Sequence, residues 1–122
     1  MAGDIFFGFD KNAPEGQSSY NDGYVSSDFF EAFKMALHAA LEDDFPSQLE
    51  IILEAQYMGI ISFIDLDDVS FNKIIKCLRH YFSKDTDRPP FFAHAKWVWV
   101  DMAEPFITKD QRYDFLFHAG GL

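Results

Sequence analysis

One cysteine, Cys77, stands alone among 122 residues, so no internal disulfide can form. The fold must be held by its core, and a reducing compartment suits such a chain. Basic groups are scarce in the first part. Residues 1–72 carry 14 Asp/Glu against Lys11 and Lys34, a balance of −12, whereas residues 73–122 carry six acids and eight Lys/Arg. A surface of that sign repels nucleic acid and anionic membrane and attracts a basic protein, and the same charge also serves solubility. The most apolar stretch, residues 51–64, is broken by Glu54 and falls short of the about 20 residues of a membrane-spanning helix. Met1-Ala2-Gly3-Asp4-Ile5 has no basic segment ahead of an apolar run, so no secretion signal is expected and the chain reads as cytoplasmic.

Signatures of catalysis and cofactor binding are missing as well. There is no Gly-x-x-x-x-Gly-Lys, Gly-x-Gly-x-x-Gly, Gly-x-Ser-x-Gly or His-Glu-x-x-His run. His38, His80, His94 and His118 are far apart and have no ligand partner at metal spacing on the same helical turn. Asp65-Leu66-Asp67-Asp68 lacks the glycine and distal Glu of a calcium loop, and is better explained as a helix cap. Cys77 lies mid-helix and reads as partly buried and inert. No catalytic residue, metal or cofactor is expected, and a non-catalytic binding role is.

What is abundant is aromatic and apolar: 48% of residues are hydrophobic and 15 are Phe, enough for one core in one domain spanning residues 1–122. Ile5-Phe6-Phe7-Gly8-Phe9 reads as a short strand. Residues 12–27 read as a long loop of Pro, Gly, Ser, Asn and Asp, with Asn21-Asp22-Gly23 shaped for a tight turn. A first helix follows, with Asp28 and Glu31 as a capping box and Phe30, Phe33, Leu37 and Leu41 on one face. A second runs from Ser47 with Leu49, Ile52, Leu53 and Tyr57 inward, stopping at Gly59. In a third, Phe71, Ile74, Ile75, Leu78 and Phe82 oppose Lys73, Lys76, Arg79 and His80. Residues 91–107 keep apolar spacing over four turns and favour a helix, although as a strand Trp97 and Trp99 would share a face. The C-terminal Tyr113-Asp114-Phe115-Leu116-Phe117-His118 is suited to pair with the first strand. The expected fold is thus mainly α, about four helices with a small two-stranded sheet from the termini, and α+β is the alternative.

Three features offer a partner-binding surface. Tyr20, Asp22 and Tyr24 lie in the long loop, whose Tyr, Ser, Gly and Asn suit recognition and equally suit a disordered excursion. Glu42, Asp43 and Asp44 cluster where the first helix ends or the second begins. His94, Trp97, Asp101 and Glu104 follow one helical face opposite the apolar stripe, an unusual setting for Trp unless it meets a partner or packs under a loop.

In its charge and in three segments the chain resembles the small acidic immunity proteins of bacterial contact-dependent growth inhibition and other polymorphic toxin systems. The segments are Asp28-Phe29-Phe30-Glu31-Ala32-Phe33, Phe71-Asn72-Lys73-Ile74-Ile75-Lys76-Cys77-Leu78-Arg79 and Trp97-Val98-Trp99-Val100-Asp101-Met102. The likeness is one of character over most of the chain. Such proteins share no invariant motif, so no functional residue is carried over. It implies stoichiometric neutralisation of a cognate toxin, often a basic nuclease. A nucleic-acid mimic that inhibits a DNA-binding protein, or an adaptor subunit, are the alternatives; the mixed sign of residues 73–122 disfavours the mimic.

Overall fold

The computed structural model describes residues 2–9, 20–84 and 86–119, with the backbone alone for residues 9 and 20–22. Among the described residues the architecture is α+β: five helices, the continuous run 92–107 counted as one, and a small three-stranded mixed sheet. Strand β1 (Gly3–Phe9) runs in the middle, antiparallel to β2 (Tyr20–Val25) and parallel to β3 (Ile60–Ser62). Its alternation sorts the two faces: Gly3, Ile5 and Phe7 are buried, while Asp4 and Phe6 are partly exposed on the outer face.

The sheet departs from the expectation in two places. Asn21-Asp22-Gly23 is not a turn but lies within β2, opposite Gly8, Phe6 and Ile5; the pairing partner supplies the order that the turn-like composition hides. The rest of the expected loop, residues 12–19, lies outside the described residues. The C-terminal segment is no strand either. Both edges of β1 are already taken, and the Asp114 carboxylate accepts hydrogen bonds from the backbone N–H groups of Leu116 and Phe117, starting helix α6 (Phe115–Ala119).

Helix α1 (Ser27–Leu41) buries Phe30, Phe33, Leu37 and Leu41 as its spacing predicts. Ser26, not Asp28, holds the capping position; Asp28 falls in the first turn, where its charge suits the helix dipole. Helix α2 (Pro46–Ile52) starts on a proline and is shorter than expected. Its stripe stops at Leu53, and Tyr57 belongs to a separate 3-10 turn (Gln56–Met58) that leaves it exposed. Gly59, at φ 74°, closes that turn in a conformation few other residues adopt.

Helix α3 (Asp68–Phe82) buries the whole stripe from Phe71 to Phe82. Asp67 caps it, accepting a 2.7 Å hydrogen bond from the Ser70 N–H. That bond holds the Asp67 carboxyl below its ordinary pKa. A group so lowered contributes its stability fully above the ordinary value and loses it as pH falls through the lowered one. Asp67→Ala is therefore expected to lower stability at neutral pH, with the gap to the parent protein closing as both are acidified; urea unfolding of both across the acid range measures this.

Residues 92–107 are helical throughout, as α4 (Phe92–Trp97), a π segment (Val98–Ala103) and α5 (Glu104–Ile107). The widened turns rotate everything after Val98 relative to an α-helix. The core is a run of rings: Phe7 stacks on Phe63, Phe33 and Trp99 stack on Phe82, and Phe92 leans on Phe82. Burial of each ring, about 1.5–3 kcal/mol, outweighs the about 0.5–1.5 kcal/mol that ring pairing adds.

Candidate functional site

Phe29 and Phe30 are neighbours on α1, and a helix cannot turn two consecutive rings toward one core. Phe30 goes inward; Phe29 lies across α4, its ring centroid 4.6 Å from that of His94 and 5.1 Å from that of Trp97. Trp97 remains 47% exposed, so one part of its indole is braced and the rest meets solvent. Ala93, His94, Phe29 and Trp97 line a cleft of about 240 Å³. Beside it, and sharing His94, is a second of about 490 Å³ between α1 and the start of α4, where Asp28, Glu31, Met35 and Phe91 take part. Glu31 pairs with Lys34 at 2.9 Å. Asp28 and the exposed Asp101 have no ion-pair partner among the described residues. The arrangement is a braced aromatic surface flanked by free carboxylates, which suits an apolar contact surrounded by cations.

The residues expected at a partner surface do not all meet here. Trp97 and Asp101 share one face of the helical run. Glu104 leaves it, because the π segment turns it inward: its carboxylate accepts both Arg79 Nε and Nη2, at 3.0 and 2.8 Å, and Trp99 Nε1 at 3.0 Å. Arg79 is correspondingly not on the solvent face of α3. Burial works against its charge, but the hydrogen bonds to Glu104 and the Tyr113 hydroxyl outweigh that and raise its pKa. Tyr24 is 71% exposed but points to the outer face of the sheet, opposite its neighbours Gly23 and Val25. Gly23 sits against Met102, where a Cβ would collide with the methionine methyl. The side chains of Tyr20 and Asp22 lie outside the described residues. Glu42, Asp43 and Asp44 are exposed in the turn leaving α1. From Phe29 they are the length of the helix away, about 20 Å at 1.5 Å per residue.

Cys77 is half-buried; its thiol donates to the Ala40 carbonyl at 3.4 Å, and burial, with the Asp44 charge nearby, pushes its pKa up. That disfavours the thiolate. Among the described residues no three or more His, Cys, Asp or Glu side chains converge to hold a metal, and no helix is long and apolar enough to cross a membrane. Phe29 lines the Trp97 cleft, and Asp28 and Met35 line its neighbour; none was expected there, and the Phe29-Phe30 pair is the signal that points to Phe29. Comparison with models of protein families, with curated proteins and with solved structures finds no match for this chain.

Proposed function

We propose that the chain is a non-catalytic binding protein whose partner is a basic protein, and that it acts as an immunity protein neutralising a cognate bacterial toxin by stoichiometric binding. The observation that carries the reading is Trp97, half in solvent on a Phe29 brace, with the exposed Asp101 four residues further along the same helical run and Asp28 lining the adjoining cleft that shares His94. Large aromatic groups are the commonest hot spots of protein interfaces, and a rim of one sign selects the partner's sign. The concentration of acid in residues 1–72 favours the same class of partner.

Co-expression with the product of the adjacent reading frame tests it. The expected result is relief of growth arrest and a one-to-one complex whose association rate falls steeply with salt, since charge steering is screened over about 8 Å at physiological ionic strength. Failure of the two proteins to associate overturns the immunity reading. An association rate indifferent to salt removes the acidic surface from recognition.

A further inference from the structure

The opposite end of α1 bears another concavity. It is a groove of about 610 Å³ between the last turn of α1, helix α2 and the 3-10 turn, and it is separate from the Trp97 cleft. Leu49, Ile51 and Leu53 give it an apolar surface, and Tyr57 stands over one side, 84% exposed. Glu50 and Glu54 add two carboxylates that have no ion-pair partner among the described residues. Both are exposed, Glu50 on α2 and Glu54 in the turn just past its end, so each carboxylate is open to a cation entering the groove. Among the described residues lining the groove His38 is the only basic side chain, and it lies 3.7 Å from the Glu42 carboxylate. Tyr57 is placed there by the αL conformation of Gly59, which ends the turn just before β3 begins.

We infer that this groove seats an arginine side chain from an extended segment of a basic partner. Each part of that side chain has a counterpart. The aliphatic stem lies along Leu49, Ile51 and Leu53. The planar guanidinium stacks on the Tyr57 ring while its N–H groups reach the carboxylates of Glu50 and Glu54. Lysine fits less well, because a compact ammonium cannot stack and bridge two carboxylates at once. The groove exceeds one side chain in volume, so residues flanking the arginine enter with it. The inference deepens the proposed function and rests on it only for the partner's sign of charge.

The test is an NMR titration of the full chain with N-acetyl tetra-arginine amide at low salt, and with the tetra-lysine counterpart. Saturable shifts are expected at His38, Glu50, Glu54 and Tyr57, with tetra-lysine at least about fivefold weaker. The double substitution Glu50→Gln and Glu54→Gln should weaken tetra-arginine about tenfold, and Tyr57→Ala about fivefold. The Glu-to-Gln double variant should melt within a few degrees of the parent, since both carboxylates are exposed and make no ion pair among the described residues; that separates lost binding from lost folding. A control pair at the other end of α1, Asp28→Asn with Asp101→Asn, should leave the affinity within about twofold when measured at physiological ionic strength, where screening acts over about 8 Å. Shifts spread evenly over all acidic surfaces, equal affinity for tetra-lysine, or equal loss in the control pair would overturn the assignment. Because the probe is a peptide, its failure leaves a Trp97-dependent complex intact, and absence of such a complex leaves the peptide result standing.

Discussion

Replacing Arg112 with methionine is expected to destabilise the protein by about 3–5 kcal/mol, the usual consequence of leaving one partner of a buried ion pair uncompensated. Arg112 and Asp110 are 8% and 2% exposed, and their charged ends meet at 2.8 and 2.9 Å. The guanidinium also donates to the carbonyls of Phe63 and Leu66, at 2.8 Å each, and of Phe7 at 3.3 Å, and it lies 4.0 Å above the Phe71 ring. One side chain thus ties the chain after α5 to β1, to the segment after β3 and to α3. Methionine fills the volume but returns none of those bonds, and the Asp110 charge stays buried. The neighbourhood has little room to relax: a Cβ at Gly8 would collide with the Asp110 carboxylate. At roughly 3–5 °C per kcal/mol for a domain of this size, the melting temperature should fall by about 10–25 °C. Adding Asp110→Asn to the variant removes the stranded charge, so the double substitution should cost less than the sum of the singles. A melting temperature within about 2 °C of the parent for Arg112→Met would show that the knot contributes little.

That knot was not legible in the sequence, and the reason is physical. Asp110 and Arg112 sit in a polar stretch, Thr108-Lys109-Asp110-Gln111-Arg112, that carries no period; their burial comes from the carbonyls that strands and loops far away in the chain turn toward them. By contrast α3 was readable nearly to its ends, because its stripe and the Asp67 cap are local signals. The helical character of residues 91–107 followed from apolar spacing, and so did the outward faces of Trp97 and Asp101, but the π segment that turns Glu104 inward did not. Strand β2 was hidden because Tyr-Asn-Asp-Gly-Tyr has the composition of a turn and gains its order from β1. Of the candidate site, Trp97, Asp101 and His94 were legible from one face of one helix. Its other wall, Phe29 and Asp28, required knowing that α1 packs beside α4.

The two tryptophans, Trp97 and Trp99, should respond in opposite ways to truncation. Trp99 is 2% exposed, stacks on Phe82 with centroids 5.6 Å apart, and donates its Nε1–H to Glu104. Trp99→Ala removes a large core ring and one hydrogen bond of the network joining Glu104, Arg79 and Tyr113, so it should cost about 3–5 kcal/mol of stability. Trp97 buries only part of its ring, against Phe29 and His94, and Trp97→Ala should cost about 1 kcal/mol. Binding separates the pair further. If the Trp97 cleft is the centre of the interface, its truncation should weaken the complex by about 2–4 kcal/mol, well over tenfold, in a protein that still melts within a few degrees of the parent. Trp97→Phe keeps a ring on Phe29 and should recover part of that affinity, whereas Trp97→Lys, which sets a cation where a basic partner would dock, should fold and bind no better than the alanine variant. Calorimetric titration against the partner, paired with thermal melts of each variant, measures both quantities. An unchanged affinity for Trp97→Ala would move the interface away from the α1–α4 cleft, and equal destabilisation by the two alanine substitutions would mean that Trp97 serves the fold rather than a partner.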